Sequence, residues 1–238
     1  MKILAVEAAA NVCSVALIED ERLLGELTVN NKKTHSQVLM PMLELLLSQA
    51  SVDMDAVDAF AVSAGPGSFT GLRIGVASIK GLAYAANKPV YGVSTLEAMA
   101  YKLPYCSRVI VPIMDARRGQ VNCAAYAWEN DLLKTVLAPD AMAIEQLCEH
   151  LKTEGKACVF LGDGVPVHNA YISECMGALA DFAPVGAALQ SASAVAASAL
   201  AKARADIPAD TYATLQPVYL RKSQAEREYD EKEKQGEK

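Results

Sequence analysis

Residues 65–75 read Gly-Pro-Gly-Ser-Phe-Thr-Gly-Leu-Arg-Ile-Gly, a glycine-rich turn that runs directly into a helical stretch. The first N–H groups of a helix lack intrahelical partners and carry the positive end of its dipole, so such a junction can seat an anion. Gly65, Gly67, Ser68 and Thr70 are the candidates for that role. The spacing is not that of a P-loop, because no Gly-Lys-Ser/Thr follows, and it is not a dinucleotide fingerprint, because the first strand of the chain does not lead into it. A structural reading stands beside the chemical one: a turn and a helix whose glycines permit close packing.

The other reactive residue types do not assemble by spacing. His35 opens the first helix, His150 sits near a helix end with Cys148, and His168 is read as part of a loop after Gly164-Val165-Pro166. None completes a Ser-His-Asp or Cys-His set, and each reads as a surface or capping group. The six cysteines contain no Cys-x-x-Cys pair and lie mostly in apolar segments, the pattern of reduced, buried thiols. A net charge of −6 argues against this chain alone holding a nucleic-acid backbone; another subunit would have to supply the positive surface. No apolar run approaches the roughly 20 residues of a membrane helix and none makes a signal peptide, so a cytoplasmic location is expected and no membrane partner.

These residues must be positioned by alternating strands and helices. Strands are expected at Ile3–Val6, Cys13–Ile18 and Leu23–Val29, then a helix His35–Ala50 with Thr34 as N-cap and Pro41 inside it. A strand Phe60–Ser63, the glycine loop, a helix Phe69–Ala86 ending at Asn87, a strand Val90–Val93 and a helix from Thr95 close the first half. The second half repeats the opening: strands Val109–Met114, Val121–Trp128 and Leu132–Val136, a helix around Ala141–Leu151, a strand Ala157–Leu161, the turn Gly162-Asp163-Gly164 and an alanine-rich helix near Ala192–Ala205. Glu7 closes the first strand of one copy and Asp115 that of the other. A duplicated βββαβα unit predicts an α/β, two-lobed actin-like (ASKHA, ribonuclease-H-like) fold: lobe 1–105, lobe 106–220 with its last helix packing back on the first, and a charged tail 221–238.

Ser63-Ala64-Gly-Pro-Gly-Ser-Phe-Thr-Gly-Leu-Arg-Ile-Gly-Val76, with His35-Ser36-Gln37, Lys80-Gly81-Leu82-Ala83, Asp115-Ala116-Arg117-Arg118-Gly119 and Pro217-Val218-Tyr219-Leu220-Arg221, resembles the bacterial TsaB family, also called YeaZ. The resemblance spans the chain. It implies a part in making N6-threonylcarbamoyladenosine (t6A) at adenosine 37 of tRNAs that read codons beginning with A. In that pathway TsaD transfers the threonylcarbamoyl group, TsaE is an ATPase, and a TsaC-type synthase makes the threonylcarbamoyl-adenylate. TsaD-like proteins carry a His-x-x-x-His metal motif after a Gly-Val strand end; here Thr95 and Met99 stand at those positions and Glu97 is a single carboxylate, too little to hold a metal. The family's usual Asp-Thr-Ser/Ala-Thr after the first strand is Glu7-Ala8-Ala9-Ala10, which removes the hydroxyls and with them the expectation of ATP hydrolysis.

Association remains. Val38, Leu39, Met42, Leu43, Leu45, Leu46 and Leu47 cover more than one face of the first helix, and Gly71, Gly75 and Ser78 form a stripe of small residues on the second. The resemblance implies that these two helices bundle with those of TsaD, or with a second copy when the chain is alone. The expected partner surface is His35, Val38, Leu39, Met42, Leu46, Gly71, Arg73, Gly75 and Ser78, with Arg73 meeting a carboxylate or phosphate. The expected role is a non-catalytic scaffold for TsaD, joined by TsaE, reaching tRNA only through the complex, and without a cofactor of its own; ATP or ADP is expected only at a subunit junction. Two alternatives stand: an actin-like ATPase or ATP-dependent small-molecule kinase, and a metallopeptidase-like protein.

Overall fold

The computed structural model describes residues 1–31 and 33–220. The tail expected at 221–238 lies outside the described residues.

The fold is α/β, and the sequence repeat becomes a repeat of topology. The first sheet holds β1 (Lys2–Glu7), β2 (Val12–Glu19), β3 (Arg22–Asn30), β4 (Ala59–Gly65) and β5 (Val90–Ser94) in the order β3-β2-β1-β4-β5. The second holds β6 (Val109–Asp115), β7 (Gln120–Glu129), β8 (Leu132–Ala143), β9 (Cys158–Leu161) and β10 (Ala180–Phe182) in the order β10-β9-β6-β7-β8. Each opens with an antiparallel meander, and each adds its fourth strand parallel to its first. The central strands β1 and β4 are covered on both faces, which is why they read as unbroken apolar runs and not as alternation.

Among the described residues, six α-helices cover the sheets: α1 (His35–Ala50), α2 (Phe69–Ala86), α3 (Thr95–Ala100), α4 (Ile144–Glu154), α5 (Val165–Met176) and α6 (Ala192–Arg204). Gln37 accepts the Thr34 N–H at 3.2 Å as α1 begins, and Ser68 caps α2 by accepting the Gly71 N–H. Both helices end on a left-handed residue, Ser51 and Asn87.

The two halves exchange helices. Leu96, Met99 and Ala100 of α3 pack with Ile110, Met114, Ala124 and Tyr126 of the second sheet. Conversely Ala192, Val195, Ala196 and Ala199 of α6 pack on Ile3, Ala5, Ala16, Ala59 and Ala61 of the first. Alanine on both sides lets helix and sheet approach closely. The first turn of α6 is held by the first lobe, with Ala192 N–H donating to Ser14 Oγ at 3.0 Å and Ser193 N–H to Glu26 Oε1 at 2.9 Å. After α6 the chain stays on the first lobe: Asp210 bridges Val90, Leu215 enters the core and Val218 N–H donates to the Ala64 carbonyl at 2.6 Å.

Two elements differ from the sequence reading. The stretch after Gly164 is α5 and not a loop, because a proline at the second helical position sacrifices an N–H that has no intrahelical partner anyway. The third strand of the second half runs to Ala143, and β10 completes that sheet, so the repeating unit is βββαβαβ.

Candidate functional site

The two sheets present equivalent strand ends to one cleft of about 580 Å³. From the first lobe come the hairpin Ala9–Asn11 and the loop Pro66–Thr70; from the second come Asp115, Arg117 and Asp163; Tyr219 and Leu220 reach its mouth.

Its floor is acidic. Glu7 is fully buried and accepts the Ala9 N–H at 2.6 Å through Oε1. Burial pushes its carboxyl up to about 7; the Ala9 N–H and the Ser63 hydroxyl work against that, and the charge of Asp163 adds to it. Ser63 Oγ has no hydrogen-bond partner of good geometry. Asp163 is likewise raised, first by burial and then by the charge of Asp115, while Gln190 Nε2 donates to it at 3.0 Å and opposes the shift. Burial is the main cause for both, since a carboxylate removed from water loses solvation that one or two hydrogen bonds only partly replace.

His168 is not the loop or surface group that spacing suggests. It lies in α5, 8% exposed, with Nε2 3.7 Å from Asp115 Oδ1 and no hydrogen-bond partner. The sequence reading missed this buried position, because Val-Pro after glycine resembles a turn; Asp115 is the acidic group beside it.

The anion-loop candidates are brought together, and part of the loop's donor set is engaged within the chain. Ser68 N–H donates to the Ala9 carbonyl at 2.6 Å, Gly71 N–H to Ser68 Oγ and Leu72 N–H to the Ser68 carbonyl. A Cβ on Gly67 would strike that same Ala9 carbonyl. Gly65 adopts φ +130° with the Val218 carbonyl against it, so its freedom serves the close approach of the chain's own returning segment. Gly67 is half-buried; Ser68 and Thr70 are exposed. The carboxylates beneath the loop and the engaged Ser68 N–H both work against an anion at this point.

The metal-motif positions do not converge on a ligand. Thr95 and Met99 are buried, Met99 against the second sheet, and Glu97 accepts the Ser198 hydroxyl at 2.8 Å. Among the described residues no group of three or more His, Cys, Asp or Glu is placed to hold a metal ion.

The expected partner surface divides. Leu39, Met42 and Leu46 belong to the first lobe's own core with Leu4, Val15 and Phe60, at most 8% exposed. Gly71 and Gly75 face Ala8, where a Cβ on Gly71 would meet the Ala8 carbonyl and one on Gly75 would stand 3.2 Å from the Ala8 Cβ. The small-residue stripe therefore admits the β1–β2 hairpin, not a neighbouring helix. Residues at i, i+3 and i+4 share one face, and that face was already needed by the sheet. Val38 and Ser78 are half-buried, Val38 against the same core. His35 Nε2 donates to the Ala10 carbonyl at 2.8 Å, pinning α1 to the hairpin. Arg73 is exposed, its guanidinium 3.8 Å above the Phe69 ring and Nε 3.4 Å from the Tyr219 hydroxyl.

What α1 leaves outside is different: Met40 and Leu45, about half exposed, beside a groove of about 740 Å³ lined by Met40, Pro41, Glu44, Leu47, Met54 and Leu82.

Comparison with known proteins follows this geometry. The chain is 31% identical over 234 residues to the tRNA threonylcarbamoyladenosine biosynthesis protein TsaB of Bacillus subtilis, covering 98% of this chain and all of that one. The chain belongs to the TsaB family. Its Escherichia coli member is 36% identical over 149 residues, covering 59% of this chain and 64% of its own. Residues 22–229 match the family model described as TsaD, tRNA N6-adenosine threonylcarbamoyltransferase, a family to which the chain therefore also belongs. A Pseudomonas aeruginosa structure described as similar to peptidase YEAZ superposes with TM-score 0.78 at 28% identity, covering 92% of this chain and 99% of that one. The (R)-2-hydroxyglutaryl-CoA dehydratase component A of Acidaminococcus fermentans, at 11% identity and TM-score 0.51, shares the fold across 86% of this chain and 99% of its own. Membership of the TsaB family places the chain in t6A biosynthesis. No helix among the described residues is long and apolar enough to cross a membrane.

Proposed function

We propose that this chain is a non-catalytic scaffold that docks TsaD through the outer face of α1 and the adjoining part of α2, and so supports threonylcarbamoyl transfer to adenosine 37. The observation that carries the reading is the apolar groove beside the exposed Met40, with Leu45 also exposed on the outer side of α1. Two features of the cleft support the non-catalytic half of the reading: its hairpin offers alanines where hydroxyls would be needed, and buried carboxyls lie beneath it. TsaE joins the complex, a TsaC-type synthase supplies the threonylcarbamoyl-adenylate, and tRNA is met only by the assembly. Alone, the chain pairs with a second copy through the same groove, and ATP or ADP binds only at a subunit junction.

Replacing Met40 and Leu45 together by Asp should abolish co-purification with TsaD while the melting temperature stays unchanged. Undiminished complex formation by that variant overturns the docking surface. Titration calorimetry of the isolated chain with Mg-ATP tests the ATPase alternative: micromolar binding with turnover would replace the scaffold reading.

A further inference from the structure

Arg117 and Arg118 form the exposed turn between β6 and β7, and Arg117 lines the cleft. Both are left-handed, with φ +64° and +54°, a conformation that suits Gly, Asn or Asp and costs other residues free energy. The turn between β7 and β8 holds two residues of the expected kind in that conformation, Asn130 and Asp131, at φ +49° and +64°. The arginine turn is nonetheless held in place. Arg117 N–H donates to Asp115 Oδ1 at 3.0 Å, Gln120 N–H to the Arg117 carbonyl at 3.1 Å and Ile144 N–H to the Gly119 carbonyl at 3.0 Å. Among the described residues neither guanidinium has an ion pair, whereas Arg108 and Arg204 pair with Asp181 and Glu21 at 2.8 Å each. Backbone preference does not account for arginine at these two positions, so the side chains must.

The first lobe adds a third unpaired guanidinium. Arg73 is exposed 3.8 Å above the Phe69 ring, and Tyr219 stacks on Phe69 with ring centroids 4.9 Å apart. Phe69 and Tyr219 line the same cleft as Arg117, and each is 37% exposed. We propose that this rim is an RNA contact surface, with phosphates at Arg117 and Arg118 and an unpaired base against Arg73 and the Phe69–Tyr219 pair. The inference rests on the reading that tRNA is met by the assembly with TsaD, and it names the residues of this chain that meet it. An acidic protein surface would use the guanidinium groups but leave the exposed rings idle. The buried carboxyls of Glu7 and Asp163 repel phosphate from the interior and keep the polyanion at the rim. With a net charge of −6 the chain binds RNA weakly alone, so the rim adds to a surface that the assembly completes.

The test titrates an unmodified tRNA transcript into the complex of TsaD with this chain over a range of salt concentrations. Arg117→Asn with Arg118→Gly gives the turn the residues its backbone prefers, so its melting temperature should equal or exceed that of the native chain. That variant should still co-purify with TsaD, bind tRNA about tenfold more weakly, and lower the slope of log affinity against log salt by about 1 to 2. Arg117→Lys with Arg118→Lys should restore much of the salt slope, because the charges return. Tyr219→Ala should weaken tRNA binding with the salt slope unchanged, as loss of stacking requires. Unchanged affinity and slope for the Asn-Gly variant in an intact complex would overturn this inference alone. Loss of TsaD by that variant would overturn it too, by making the rim a protein interface. Failure of the native chain to bind TsaD would overturn the docking reading first and this inference with it.

Discussion

Glu7 and Asp115 are the same residue of the repeat in two environments. Each ends the first strand of its sheet, and each accepts the N–H two residues on, Glu7 from Ala9 at 2.6 Å and Asp115 from Arg117 at 3.0 Å. Glu7 is sealed beneath the hairpin, while Asp115 is half-buried at the cleft with His168 beside it. The two copies share the turn and differ in burial, and burial is what raises the Glu7 carboxyl.

Stability should therefore depend on Glu7 in a definite direction. Its folded carboxyl lies near 7 against an ordinary 4.5, so the folded state holds the proton more tightly than the unfolded state. The associated stability is fully present below pH 4.5 and is lost as pH rises through about 7, a loss of about 3 kcal/mol. Urea melts from pH 4.5 to 8 should show this fall in the native chain and not in Glu7→Gln, whose amide oxygen still accepts the Ala9 N–H. Equal slopes would contradict the assignment.

Leu39 reports on the core. Leu39→Ala should cost about 2–5 kcal/mol by leaving a cavity beneath α1, whereas Leu45→Asp, on the outer face, should change stability by less than about 0.5 kcal/mol. Chemical denaturation separates the two, and a neutral Leu39→Ala would return that residue to the partner surface.

Two glycines of α2 make a matched pair. A Cβ at Gly71 meets the Ala8 carbonyl, so Gly71→Ala should destabilise by about 1–3 kcal/mol. A Cβ at Gly81 meets nothing within 4 Å, so Gly81→Ala should stabilise by about 0.5–1 kcal/mol through helix propensity alone. Thermal melts of the two variants should move in opposite directions.

Glu26 is a cap supplied from another lobe's sequence. Glu26→Ala should cost about 1–2 kcal/mol by freeing the Ser193 N–H at the start of α6. Hydrogen exchange should rise in the first turn of α6 and not in α4; unchanged exchange there would remove Glu26 from that role.

Much of the fold was legible because its signals are local. The meanders, the cap position at Thr34, the helix stop at Asn87 and the repeat beginning again at Val109 all follow from neighbours a few residues apart. α5 was missed through the same local logic, since Gly-Val-Pro is equally a turn and a helix start. The partner surface was misplaced for a different reason: Leu39, Met42 and Leu46 recur with helical spacing whether the covering surface is the chain's own sheet or another protein.

The sequence by itself determined the duplicated α/β pattern and the blocks that resemble the TsaB family, because residue identity and short spacing suffice for each. Only the tertiary structure decided that α3 packs on the second sheet, that His168 is buried beside Asp115, that the Ser68 and Gly71 N–H groups are engaged within the chain, and that the outer face of α1 is left open. Each of those depends on which surfaces meet across long stretches of chain, where burial and close approach, and not local preference, set the free energy.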